Sequence, residues 1–355
     1  MKRRQARTAR PLSATLLALT LCAFGARDCR ALDLKRPEVR RFMRHMAHDN
    51  GFDRGQLARL LRSAQTQQAI IDAMNRPAEK AKLWYEYRQI FITEKRIRDG
   101  VDFWLAHRAE LEMAAARTGV EPEYIVAILG VETLYGRQTG RYRVLDALAT
   151  LAFDYPDRAP FFTAELEQFL LLSREAGIDA LTATGSYAGA MGAPQFMPSS
   201  YRRFGMDGSG DGKIDLWTNW LDVFVSIGNY FREHGWQHGE PLMTEADLPP
   251  PLAPASDGRK FALDASVASL RALGVQFATS QPDEAPAAVV AVDTPDGVRW
   301  RVGFKNFYVI TRYNRSALYA MAAGELAAAV KHHVETERLP VPADIQGAHV
   351  FEVGP

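Results

Sequence analysis

The sequence predicts an α+β fold, mainly α, in which a helical body carries a small antiparallel β subdomain. Three observations lead there. From residue 36 to about residue 239, apolar residues recur at helical spacing, with Gly or Pro clusters between the runs. A proline-rich stretch at residues 248–254 then interrupts any helix and reads as a stiff, extended linker. Beyond it the period changes to two, as in Val298-Arg-Trp-Arg-Val, which is the mark of a half-buried strand.

At the N-terminus, Lys2, Arg3, Arg4, Arg7 and Arg10 precede an apolar stretch at residues 12–26. This is the layout of a secretory signal peptide, assigned to residues 1–31 with cleavage after Gly25, Ala26 or Ala31. The apolar stretch is too short for a comfortable membrane span, and no later one is long enough. Cys22 would suit an outer-membrane lipid anchor, but Leu21 stands where a lipobox has a small residue, so the lipobox is poor. Both cysteines, Cys22 and Cys29, lie in or beside the leader, and the exported chain is expected to do without a disulfide. A formal net charge of +1 over 355 residues excludes the electrostatic footprint of a nucleic-acid binder.

The body is expected over residues 32–248. Its helical runs include Phe42, Met43 and Met46, then Leu57, Leu60 and Leu61, then Leu145, Leu148 and Leu151. Within it, Pro122 opens and Gly136 and Gly140 close a segment whose interior is apolar except for Glu132. A carboxylate withdrawn from water favours its protonated form and can donate a proton near neutral pH, so Glu132 is the first candidate for catalysis. The plain alternative is a solvated helix position, or an ion pair with Arg137 or Arg141.

The segment from Thr184 to Tyr201 holds three glycines and two prolines among Ser, Gln and aromatic residues. It is too broken for a long helix and too apolar for a solvated linker. A loop lining a cleft fits, with Ser186 and Gln195 offering side-chain hydrogen bonds; a corner where glycines let two helices touch is the other reading. The Gly185-Ser-Tyr-Ala-Gly run lacks the spacing of a nucleophile elbow. Next, Asp207, Ser209 and Asp211 alternate with glycines as in the first half of an EF-hand loop, and the Lys213 carbonyl follows. Asp215 comes next; Thr218 stands where the closing Glu belongs, and Asp222 is the candidate to close a longer ring around a structural Ca2+.

The β subdomain and its linker are assigned to residues 249–310. Strands are expected at residues 288–292 and 298–302 around a turn with Pro295 and Gly297, with the run Phe307-Tyr-Val-Ile as the third strand of a meander. Residues 311–355 bring the chain back to the body as an Ala-rich helix, 317–332, and a C-terminal tail. At the junction, Tyr313, Asn314 and Tyr319 are side chains suited to sugar rings and acetamido groups; Asn314 also suits a helix N-cap.

Taken together, five segments resemble the membrane-bound lytic murein transglycosylase B family in order and spacing. They are Gly130-Val-Glu-Thr-Leu-Tyr-Gly, the run from Leu145 to Pro156, the Gly-rich segment from Gly185, the Asp207 loop, and Arg312-Tyr-Asn-Arg-Ser. The resemblance covers residues 35–335 and implies a lysozyme-like core with additional helices and a single catalytic carboxylate. It implies cleavage of the MurNAc–GlcNAc β-1,4 bond of peptidoglycan glycan strands without water, leaving 1,6-anhydro-MurNAc ends. Glu132 is then acid and base in turn, with the substrate's acetamido oxygen replacing the usual second carboxylate. By the same resemblance Ser186 orients Glu132 or the acetamido group and Gln195 contacts the sugar. Tyr87, Tyr230, Tyr313, Asn314 and Tyr319 line the groove, and Arg158 reaches the peptide stem or lactyl group. Asp157 stands where the family has a second basic residue, which weakens attraction to acidic peptide stems.

The resemblance also implies a periplasmic monomer that needs no cofactor for its chemistry, working beside cell-wall synthesis or division proteins. Two other readings compete with it. One is a hydrolytic muramidase, for which Asp154, Asp157 and Glu165 are the candidate water-activating carboxylates; the other is a catalytically silent scaffold that binds peptidoglycan.

Overall fold

The computed structural model describes residues 29–76, 82–249 and 261–337. The expected leader up to residue 28, most of the proline-rich linker and the C-terminal tail lie outside the described residues. Cys29–Ala31, the last three residues assigned to the leader, form a short strand paired antiparallel with Gln65–Gln67. No helix of the described residues is long and apolar enough to cross a membrane.

The body is built on one helix, Pro122–Thr133. Its residues Ile125 to Gly130 are all buried, so it has no polar face and belongs to the core rather than to its rim. The Ala317–Glu337 helix packs along it, and Glu94–Ala106 and Arg108–Thr118 lie against its other sides. Around this centre, Val144–Asp154 packs on Ala159–Ala176, and Trp220–Glu233 on Arg108–Thr118. Pro122 at the first turn costs no hydrogen bond, because that turn lacks acceptors for its N–H groups.

The end of the central helix is unusual. Leu134 and Tyr135 both take left-handed backbone conformations, with φ of 50° and 60°, before Gly136 completes the turn. Such conformations cost non-glycine residues about 1–3 kcal/mol each unless the surroundings impose them. Here the Tyr135 N–H donates to the Leu129 carbonyl at 2.9 Å, and its hydroxyl donates to the Arg96 carbonyl at 2.8 Å. Its ring lies flat over Gly130, where a Cβ would sit 2.7 Å from the Tyr135 hydroxyl.

The β subdomain is a five-stranded antiparallel sheet in the order Ala265–Ser266, Pro286–Thr294, Gly297–Gly303, Met243–Asp247, Gln276–Phe277. The expected hairpin is present, closed by Pro295 and Asp296 between Thr294 and Gly297. One face, through Ala288, Val290 and Val292, joins the core of the helical body. The other, through Ala287 and Val302, packs on Val267, Leu270 and Phe304 as a small core of its own.

Two details depart from the sequence reading. The sheet takes a strand, Met243–Asp247, from ahead of the proline-rich linker. The run from Phe307 is not a third strand of the meander but part of a helix, Lys305–Tyr313. Short apolar runs do not declare their own period, and here tertiary contacts decide. Asn306 is fully buried, donates to the carbonyls of Gln237 and Glu240 and accepts from the Gln237 N–H, which fixes the chain where the helix begins.

Gly130→Ala tests the Tyr135 contact, because the sign of its effect is contested. In an exposed helix this change adds about 1 kcal/mol of stability. Against the Tyr135 ring it is expected to cost about 1–3 kcal/mol by overpacking, measured by thermal unfolding. In a Tyr135→Ala background the cost should largely disappear.

Candidate active site

Glu132 is the penultimate residue of the central helix, half-buried, where the apolar core meets the surface. Its Oε1 accepts a 2.7 Å hydrogen bond from the hydroxyl of Tyr319, which projects from the Ala317–Glu337 helix. Burial, and then the charge of Glu132, hold the Tyr319 and Tyr313 phenols well above their ordinary range, so both remain proton donors at any working pH. Tyr87, only 2% exposed, packs on Phe91 and lies within electrostatic reach of Tyr319. Arg137, one of the two arginines considered as an ion-pair partner, pairs with Asp99.

The Gly-rich segment is a structured loop, as the cleft reading requires. Thr184–Gly185 pairs with Tyr142–Arg143, and Met191 bridges to both Gly185 and Phe196. Gly192 has φ +67°, and a Cβ there would lie 2.3 Å from the Leu216 carbonyl oxygen, so the close approach needs glycine. Two side chains from outside, Thr133 and Tyr313, and one of its own, Gln195, hold the loop's tip. Thr133, next to Glu132 and fully buried, donates to the Ala193 carbonyl at 2.9 Å and accepts from the Gly136 N–H at 3.0 Å. The Tyr313 hydroxyl donates to the Pro194 carbonyl at 2.6 Å. Gln195, itself at φ 54°, donates its amide to the carbonyls of Thr139 and Gly192.

Several expected site residues therefore have other partners. Ser186 accepts from the N–H groups of Ala188 and Ala190 and so shapes its own loop. The amide nitrogen of Gln195 is committed to backbone, leaving its oxygen as the group to meet a ligand. Tyr230 is 7% exposed and donates its hydroxyl to the Arg312 carbonyl at 2.6 Å, a core tether more than a groove wall. Asn314 caps the C-terminus of the Lys305–Tyr313 helix, not the N-terminus of the next, and is exposed. Arg158 ends a short 3-10 turn, Pro156–Arg158, and lays its exposed guanidinium over the rings of Phe161 and Phe162.

Thr133 and Tyr135 were missed by the sequence reading. The signal available was a polar and an aromatic residue immediately after the candidate acid. Of the carboxylates considered for activating water, Asp154 receives Arg36 and Glu165, 5% exposed, accepts both the N–H and the hydroxyl of Ser199. Asp157 sits exposed on the 3-10 turn.

The Asp207 loop folds on its own amides. The N–H groups of Gly212 and Gly210 hold the Asp207 carboxyl below the usual carboxylate range. The Ser209 hydroxyl also donates to Asp207, and Asp211 accepts from the Lys213 N–H, which leaves the Lys213 carbonyl as a loop oxygen. Asp222, expected to close a ring around Ca2+, is fully buried; its Oδ1 accepts from the N–H groups of Gly208 and Ser209 and its Oδ2 from that of Asp215. Among the described residues no group of three or more Asp, Glu, His or Cys side chains could hold a metal ion. Backbone donors fill Oδ1 of Asp222, while Oδ2 accepts a single N–H and is the only Asp222 oxygen with a lone pair left to meet an ion.

One half-buried carboxylate, held by a tyrosine at the end of a core helix and facing a tethered Gly-rich loop, sits in a fold of the lysozyme-like class. The chain belongs to the Transglycosylase SLT domain family, which matches residues 35–328. It is 40% identical over 303 residues to membrane-bound lytic murein transglycosylase B of Escherichia coli K12, covering 83% of this chain and 82% of that protein. Its structure is similar to that of soluble lytic transglycosylase SltB1 from Pseudomonas aeruginosa, with a TM-score of 0.79, 47% identity, and coverage of 84% and 99% of the two chains. It is also similar to Escherichia coli lytic transglycosylase Slt35 in complex with calcium, with a TM-score of 0.76, 39% identity, and coverage of 86% and 96%. A third similar structure is SltB3 from Pseudomonas aeruginosa in complex with NAG-NAM-pentapeptide, with a TM-score of 0.72, 29% identity, and coverage of 82% and 78%.

Asp222→Ala would leave three N–H groups without acceptors. It is expected to cost about 3 kcal/mol or more of stability by thermal unfolding, equally in EDTA and in excess calcium. A loss confined to calcium-containing buffer would show instead that Asp222 acts through the ion.

Proposed function

We propose that Glu132 is the only protein group exchanging protons with the glycan in a lytic transglycosylase that cuts peptidoglycan at MurNAc–GlcNAc bonds. The observation that carries this reading is the hydrogen bond from Tyr319 to Glu132 at the end of a core helix. As an acid, Glu132 gives its proton to the glycosidic oxygen, and the bond from that oxygen to C1 of MurNAc breaks. The substrate's acetamido oxygen stabilises the cationic C1. Glu132, now a carboxylate held by Tyr319, removes the proton of the C6 hydroxyl, and O6 bonds to C1 to give the 1,6-anhydro ring. Atoms and charge balance with no water consumed, and no cofactor enters any step.

The two forms that Glu132 must adopt are opposed by different neighbours. The negative end of the helix dipole disfavours charge at this C-terminal position, while the Tyr319 hydrogen bond favours it. Gln195 through its free oxygen, Asn314 and the exposed edge of Tyr313 are read as sugar contacts, and Ser186 as the residue that keeps the loop in shape. Arg158 is read as a contact for the peptide or lactyl group. The chain is read as an exported, periplasmic protein that acts on glycan strands as a monomer.

Two measurements test this reading. Glu132→Gln should fold normally and lose at least a thousandfold in turnover of purified sacculi, with wild type releasing anhydro-muropeptides by mass spectrometry. Products heavier by one water would identify a hydrolase. Tyr319→Phe removes a donor to the charged form and raises the proton affinity of Glu132. The alkaline limb of kcat/KM against pH should move to higher pH, with kcat lowered about ten- to a hundredfold because the second step loses a charge-assisted hydrogen bond. An unmoved limb would assign the ionisation to another group.

A further inference from the structure

Beside the candidate groove lies a group of cations that the chemistry at Glu132 does not use. Arg203, Lys305, Arg312 and Arg315 come from three different segments, and none makes an ion pair among the described residues. By contrast Arg88, Arg143, Arg202 and Arg301 are each paired with a carboxylate. Aromatic rings set their positions. The guanidinium of Arg203 lies 5.0 Å from the Phe204 ring centroid, and Arg312 and Lys305 lie 4.2 and 5.3 Å from that of Tyr308. Phe204 and Tyr308 thus act as platforms that hold the charges extended without neutralising them.

The same rings lead to the active site. Phe204 packs on Tyr230 and His234, Tyr230 stacks on His234 at 4.2 Å, and Tyr230 packs edge-on against Tyr313 at 4.9 Å. Tyr313 carries the tether to the Gly-rich loop and feels the charge of Glu132. His234 registers the cations independently: burial first, and then Arg203, Arg312 and Lys305, hold its imidazole below its ordinary range. Arg312 keeps one buried guanidinium nitrogen, Nε, without a partner, while its Nη2 reaches only the neighbouring Thr311 hydroxyl. Arg203, Arg312 and Lys305 act together on His234, and Arg312, Arg315 and Arg203 on Tyr230; these like charges repel one another, at a cost that an anionic ligand would remove.

We propose that Arg203, Lys305, Arg312 and Arg315 form a subsite for the carboxylates of the peptide carried on the muramoyl lactyl group, separate from Arg158. The ligand class follows from position and charge together. The patch adjoins the groove through Tyr313, and the anionic part of a peptidoglycan strand is its peptide, not its sugar backbone. This proposal rests on the reading of the groove as a peptidoglycan site. Exposed arginines hold such carboxylates by charge-assisted, salt-sensitive contacts, so they supply binding and not chemistry.

The test uses the mature full chain and two substrates: glycan strands bearing their peptides, and the same strands with the peptides removed enzymatically. Arg203 and Arg315 are exposed, so the double variant Arg203→Gln/Arg315→Gln should fold as wild type, checked by circular dichroism and thermal unfolding. On peptide-bearing strands its KM should rise about tenfold with kcat unchanged. On stripped strands wild type and variant should be equal, and high salt should erase the wild-type preference for peptide-bearing strands. Equal losses on both substrates, or no loss on either, would overturn the subsite. Wild type releasing no anhydro product from either substrate would instead sink the underlying reading of the groove.

Discussion

The antiparallel contact between the Pro122–Thr133 and Ala317–Glu337 helices is the constraint on which the rest of this molecule depends. Its seam is apolar, and a polar contact marks each end. Near one end Lys331 reaches Glu123 at 2.7 Å; at the other Tyr319 reaches Glu132 at 2.7 Å. The first is half-exposed on the lysine side and serves as a register mark more than as a source of stability. The second is the proposed active site. Slipping one helix past the other by a single residue, about 1.5 Å, would break both contacts at once. Stability of the core and geometry of the acid are therefore the same structural fact, carried by a helix too apolar to sit anywhere but the centre.

That arrangement explains why strain gathers just beyond Glu132. A core helix that ends at a cleft must turn the chain away sharply, and Leu134 and Tyr135 do so in left-handed conformations. Tyr135 offsets the cost by filling the space over Gly130 and Gly100 and by satisfying the Arg96 carbonyl. Thr133 uses the same turn to reach the Gly-rich loop, and Gln195, left-handed itself, reaches back to Thr139. The two walls of the site hold each other through carbonyl oxygens, whose positions do not vary with side-chain rotamer. Such a site is preorganised by backbone, which suits a reaction in which the substrate supplies the nucleophile and must be held in one pose.

Much of this was legible in the sequence, and the parts that were not share a physical cause. The helical body, the acid in its apolar run, the hairpin and the return helix all follow from local period and punctuation. What local pattern could not supply was the partner of each polar group. Tyr230 and Tyr313 read as groove aromatics because an aromatic with a hydroxyl suits sugars, yet each hydroxyl is taken by a backbone carbonyl far along the chain, at Arg312 and Pro194. Asp222 read as a metal ligand because carboxylates at loop spacing suit calcium; the sequence did not show that it also accepts three backbone N–H groups of that loop. The run from Phe307 was ambiguous between strand and helix until Asn306 fixed its start from the far side of the body.

A site with one carboxylate also explains how this chain distributes its charge. When a second protein group stabilises the transition state, binding and chemistry share the same residues. In the proposed mechanism the cationic centre falls to the substrate's acetamido oxygen, so the protein's remaining means of lowering the barrier is to press the substrate into the pose where that oxygen and O6 can reach C1. The energy for that must come from contacts away from the reacting bond. A net charge of +1 over the whole chain hides the arrangement, because 43 basic and 42 acidic side chains nearly balance in number wherever they stand. Arg203, Lys305 and Arg312 stand over Phe204 and Tyr308, and Tyr230 links Phe204 to Tyr313. Placed there, the proposed peptide contacts hold the strand through a part that takes no part in the reaction, and so add affinity while the barrier is left to the contacts around the sugar.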